Sequence, residues 1–85
     1  MPTVKLFASL RKDAGIEETS IPGTSIKPVI SGLVRQYPVL AEKLLEDGQI
    51  RRHVVITIKG HPTTDMDAAV TAQDLIAIFP PIAGG

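Results

Sequence analysis

Leu75-Ile76-Ala77-Ile78-Phe79, running into Pro80-Pro81-Ile82-Ala83-Gly84-Gly85, is the stretch that decides the fold. Five uninterrupted apolar residues read as a strand in the middle of a sheet, because a strand with one wet face would alternate. Two prolines then fix φ and remove two backbone donors, so the strand stops and the chain leaves stiff and extended. A central strand needs neighbours. Upstream, Val4, Leu6 and Ala8 alternate with Lys5 and Phe7, which predicts a first strand. Arg11 to Gly15 reads as a polar turn from it into a second strand over Glu17 to Ile21. His53 to Lys59 is β-branched almost throughout and predicts a further strand. Lys59-Gly60 turns that strand into a short return strand from His61 to Thr64.

Between the hairpins lies the helical signal. Ser25 is a good N-cap residue, and Pro28 falls in the first turn, where its missing N–H costs little. Ile26, Val29, Ile30, Leu33, Val34 and Tyr37 recur at the spacing of one helix face. Gly32 weakens this helix by about 1 kcal/mol relative to alanine, and Pro38 ends it. Val39 to Glu46 predicts a second, shorter helix ended by Asp47-Gly48, and Thr64 to Gln73 reads as loop. The order β-β-α-β-(β)-β predicts an α+β fold: a mixed sheet with one main helix packed across one face. The first and last apolar strands form its parallel central pair.

Composition narrows the function. The 85 residues make one small domain, and nine Lys+Arg balance nine Asp+Glu. Zero net charge argues against nucleic-acid or membrane-surface partners, which need a basic surplus. Cysteine is absent, which excludes a disulfide framework, thiol catalysis and thiolate metal sites on this chain. No signal-peptide core and no run of about 18 apolar residues is visible, so a cytoplasmic location is expected. His53 and His61 lack partners at ligand spacing, so no metal site is expected. Asp65 and Asp67 read as turn residues in a polar loop, and Arg51-Arg52 as a solvated pair. No catalytic constellation is present.

The division is therefore a domain over residues 1–79 and an extended tail over residues 80–85. Gly84-Gly85 has the smallest cross-section a peptide can have and no Cβ to block a close approach. Glycine-rich chain ends also fray. After a rigid Pro80-Pro81, however, Ile82, Ala83 and Gly84 are suited to thread a narrow channel and present the Gly85 carboxylate to another enzyme. On the strand before it, Leu75, Ala77 and Phe79 share one face, and Ile76 and Ile78 the other. A helix covers only one of these. The uncovered face, with Phe7 beside it, is expected to dock partners, so Phe7, Leu75, Ala77 and Phe79 are the candidate interface.

In these features the chain resembles the MoaD/ThiS class of ubiquitin-like sulfur carriers, and most resembles its molybdopterin synthase branch. Three segments carry the likeness: Val4-Lys5-Leu6-Phe7-Ala8-Ser9-Leu10-Arg11 with Gly15, the helix bracketed by Ser25-Ile26 and Tyr37-Pro38, and Asp74 through Gly85. The resemblance implies a β-grasp fold. It also implies that a partner resembling ubiquitin-activating enzymes adenylates Gly85 with ATP. A sulfur donor protein then displaces AMP to leave a thiocarboxylate. In that branch the tail enters a large-subunit active site, in a heterotetramer of two small and two large subunits, and sulfur passes to a pterin precursor. No cofactor bound to this chain is implied. Alternatives are a carrier for cysteine, thiamine or tRNA thiolation, a modifier conjugated to lysines through Gly85, and an interaction module with an inert tail. Two departures from the family pattern stand out. Ala72-Gln73-Asp74 replaces Asp-Gly-Asp, which suggests a changed turn, and Lys59-Gly60 replaces Asn-Gly.

Overall fold

The computed structural model describes residues 1–80. In chain order these form β1 (Thr3–Leu6), α1 (Ala8–Ala14), β2 (Glu18–Ser20), α2 (Ile26–Gln36), α3 (Val39–Leu44), β3 (Leu45–Glu46), β4 (Gln49–Ile50), β5 (Val55–Ile58), β6 (His61–Thr63) and β7 (Leu75–Phe79). The main sheet has the order β2-β1-β7-β5-β6. β1 and β7 lie at its centre and run parallel, Thr3 beside Leu75 through Leu6 beside Ile78, while all other neighbours are antiparallel. This is the mixed sheet expected from the apolar strands, and the β-grasp that the family resemblance implies.

α2 closes one face. Ile26, Val29, Ile30 and Leu33 are buried and share a core with Val4 and Leu6 of β1, Ile56 of β5, and Ile76 and Ile78 of β7. Burying each such side chain contributes about 2 kcal/mol. Ser25 does hold the N-cap position in extended geometry, but its side chain makes no capping bond. Instead the N–H groups of Ile26 and Lys27 donate to the carbonyls of Ala68 and Met66 at 3.0 and 2.8 Å. The loop expected between residues 64 and 73 thus satisfies the helix's first donors, and Pro28 has none to satisfy. Gly32 has a packing reason. A Cβ there would stand 2.8 Å from Cγ2 of the fully buried Ile21.

Two expectations change. The turn read over Arg11 to Gly15 is the second half of a helix, and the first strand ends at Leu6 instead of Ala8. Leu10 is the reason, since one turn of helix drives this single apolar residue into the core at 1% exposure. Gly15, at φ 75°, ends α1 by donating its N–H to the Arg11 carbonyl at 2.9 Å. The helix read over Val39 to Glu46 stops at Leu44, and a two-stranded ribbon follows, pairing Leu45 with Ile50 and Glu46 with Gln49. Asp47 and Gly48, at φ 55° and 78°, supply the two left-handed residues of a tight hairpin turn. Arg51 donates from Nε to the Glu42 carbonyl at 2.7 Å and lies 3.9 Å from Glu46, so it ties this ribbon to α3.

Candidate functional site

β7 has two unlike faces. Ile76 and Ile78 are completely buried, whereas Leu75 keeps 44% of its surface exposed. Sheet register extends the open face sideways: Thr3 lies beside Leu75, Lys5 and Thr57 flank Ala77, and Val55 lies beside Phe79. Val55 is also 44% exposed. Phe7 follows β1 directly and donates its N–H to the Ile78 carbonyl at 3.2 Å, which brings its ring level with Phe79. The two rings stack with centroids 4.3 Å apart and 18° between planes. Such offset pairs add about 1 kcal/mol beyond their buried area. The Lys5 ammonium lies 5.4 Å from the centre of the Phe7 ring, within reach of a cation–π contact.

The structure thus brings Phe7, Phe79 and Leu75 onto one surface, the face opposite α2. Ala77 shares the face but is 8% exposed between Lys5 and Thr57, so it offers almost no surface of its own. Val55 and Lys5 were not read as part of this patch from the sequence. The signal was available, because alternation along β5 sends Val55 and Thr57 to the face opposite Val54 and Ile56. Half-buried Pro80 follows β7 directly after Phe79. The threading residues Pro81, Ile82, Ala83 and Gly84, and the reactive Gly85, lie outside the described residues.

The patch can bind but holds no acid–base machinery. His53 and His61 are exposed, and among the described residues no group of three or more His, Cys, Asp or Glu side chains could hold a metal ion. Asp65 accepts the Asp67 N–H at 2.9 Å, closing a local turn. Among the described residues the one buried acid, Asp74, sits at the far end of β7. Its carboxylate accepts the Thr71 N–H at 2.7 Å and lies 3.3 Å from the Lys59 ammonium. The Thr71 hydrogen bond outweighs burial and, with Lys59, holds its pKa below the ordinary 3.8. The turn over Ala72-Gln73-Asp74 is closed by this carboxylate, and Lys59, at φ 53°, adopts the left-handed turn geometry that asparagine favours. No described helix is long and apolar enough to cross a membrane.

Comparison with known proteins agrees with this geometry. The ThiS family model matches residues 4–85. Small archaeal modifier protein 3 of Haloferax volcanii is 31% identical over 96% of each chain. The molybdopterin synthase sulfur carrier subunit of Arabidopsis thaliana is 33% identical over 96% of this chain and 80% of its own. The solution structure of small archaeal modifier protein 1 from Methanosarcina acetivorans superposes with a TM-score of 0.89 at 30% identity, covering 99% of this chain and 95% of that one. On a family match running from β1 through the final glycine pair, and on a sheet that shares its fold, the chain belongs to the ThiS family of ubiquitin-like sulfur carriers.

Proposed function

We propose that this chain carries sulfur on Gly85 and serves as the small subunit of a molybdopterin synthase. The observation that carries the reading is a family match that extends through Gly84-Gly85, beyond the strand that anchors the tail. The Arabidopsis relative, named a molybdopterin synthase sulfur carrier subunit, supports the choice of branch. In the first step a carboxylate oxygen of Gly85 attacks the α-phosphorus of ATP on an adenylating partner and expels pyrophosphate. The acyl adenylate then has AMP as a good leaving group. Hydrosulfide released by a sulfur donor protein attacks the acyl carbon, AMP departs, and a proton is lost. A thiocarboxylate remains. It is a nucleophile at neutral pH, so a cysteine-free chain can deliver sulfur to a pterin precursor held by a large subunit. This chain supplies the tail and the docking face of Phe7, Leu75 and Phe79, while ATP and the catalytic groups belong to cytoplasmic partners.

A second reading shares the first step. Two Haloferax volcanii relatives named small archaeal modifier proteins, 31% and 28% identical, favour a modifier in which a lysine amine, instead of hydrosulfide, attacks the adenylate. Intact mass spectrometry after incubation with ATP, hydrosulfide and the host adenylating enzyme separates the two. Replacement of one terminal oxygen by sulfur, mapped by fragmentation to Gly85, is the expected result. Mapping is needed because oxidation of Met1 or Met66 adds almost the same mass. Lysine adducts through Gly85, without a thiocarboxylate, would transfer the assignment to a modifier. An unmodified Gly85, beside a second carrier processed by the same enzyme, would sink both.

A further inference from the structure

The side of α2 turned away from the sheet forms a hollow of about 450 Å³, lined by Pro22, Lys27, Pro28, Ser31, Gly32 and Arg35. Its construction follows from the helix. Lys27, Ser31 and Arg35 recur every four residues and make one row, with Pro28 and Gly32 in the adjoining row. Gly32 carries no side chain because Ile21 occupies that space, and this leaves an apolar floor between Pro22 and Pro28. The walls are cationic. α2 contains no acidic residue, and among the described residues Lys27 and Arg35, like Lys5, Lys12 and Arg52, take part in no ion pair, whereas Arg11, Lys43, Arg51 and Lys59 do. Asp65 and Asp67 border a separate hollow on the other side of Lys27. Lys27 and Arg35 thus stand at the two ends of one apolar groove, neither of them in an ion pair among the described residues.

We propose that this groove binds an extended acidic segment of a partner protein, two carboxylates flanking an apolar side chain. Lys27 and Arg35 are eight residues apart, which is about 12 Å along a helix. Residues four apart on an extended strand are separated by about 13 Å and point to the same side, with the residue between them pointing that way too. A Glu-x-Val-x-Glu segment therefore meets both cations while its valine covers the floor. The groove lies on the face of the fold opposite Phe7, Leu75 and Phe79, so a partner seated there leaves the docking face and tail free. A carrier that passes between enzymes can be held here while Gly85 is inside another active site.

The test uses the full chain without ATP, so it is independent of what Gly85 carries. A fluorescein-labelled peptide GETVTEG is titrated with protein, and amide shifts of the protein are followed by NMR. Shifts centred on Lys27, Ser31, Gly32 and Arg35 are expected. The double variant Lys27→Glu/Arg35→Glu and the control peptide GQTVTQG should each weaken binding about tenfold, and added salt should weaken it further. Because both side chains are exposed, the variant should keep its melting temperature. Ser31→Trp, which fills the groove without altering charge, should also abolish the shifts. Shifts confined to Leu75 and Phe79, or none at millimolar peptide, would overturn the proposal. So would unchanged affinity after charge reversal. Concentration-dependent shifts at α2 without peptide would assign the groove to a second copy instead, and tighter binding to anionic lipid vesicles would assign it to a membrane.

Discussion

Ile76 and Ile78 are fully buried in the core shared with α2, while Leu75, one residue away on the same strand, leaves 44% of its surface in water. Both faces of β7 are apolar by composition. Only one is used for folding. A sheet with a single helix layer can bury one side, so an all-apolar strand at its centre necessarily presents the other to solvent. In most domains that side would be polar. Here it carries the exposed Leu75 and Val55 beside the half-buried, stacked Phe7 and Phe79, the patch proposed above as a docking face. The covered face and the open face should therefore respond to mutation in opposite ways.

The sharpest contrast comes from truncating each face in turn. Ile76→Ala should lower unfolding free energy by about 3 kcal/mol, because it opens a cavity in a packed core. Urea denaturation checks this, and a loss below about 1 kcal/mol would show that the core can collapse around the gap. Acid provides the next test, at the buried end of the same strand. The Asp74 carboxyl is held below its ordinary 3.8, so its charged form favours the folded state. That contribution is fully present above the ordinary value and is lost as pH falls below it. Asp74→Asn should be destabilised relative to the parent at pH 7, and the gap should narrow in thermal melts as pH drops below about 4. A gap independent of pH would show that the Thr71 and Lys59 contacts contribute through shape alone.

On the open face the stability losses shrink and binding losses take their place. Phe79→Ala removes a half-buried ring stacked on Phe7 and should cost about 2 kcal/mol of stability, the stacking plus the buried area. It should weaken capture by the adenylating partner far more than it weakens folding, as surface plasmon resonance beside a thermal melt would report. A large fall in melting temperature with unchanged affinity would reverse the assignment of the two faces. Leu75→Ser should be the mildest, within about 0.5 kcal/mol of the parent in stability. Its effect is expected in partner binding alone.

Particular residues explain how much of this was legible. Ile76 and Ile78 on one side and Leu75, Ala77 and Phe79 on the other follow from the period of a strand. The face of α2 follows from Ile26, Val29, Ile30 and Leu33. The central parallel pair follows from the first and last apolar strands. By contrast, α1 was hidden because its seven residues bury only Leu10, too little for a periodic signal. Gly15 marked its end but served equally well as the end of a turn. Asp47-Gly48 was a hairpin signal read as a helix stop, since a ribbon with strands of two residues has no alternation to detect.

The sequence by itself determined most of the strand-and-helix order, the division of β7 into two faces, and a family likeness carried by three segments, the last twelve residues most specifically. These depend on chain neighbours a few positions apart, where spacing alone fixes direction. Tertiary structure decided what distant segments do to one another. It laid Phe7 against Phe79, placed Val55 in the open patch, and shrank Ala77 between Lys5 and Thr57. It replaced the expected Ser25 cap with carbonyls some forty residues downstream, and set Lys27 and Arg35 on an apolar groove without an ion-pair partner among the described residues. Each of these depends on which strands become neighbours and in what register, and no local pattern encodes that.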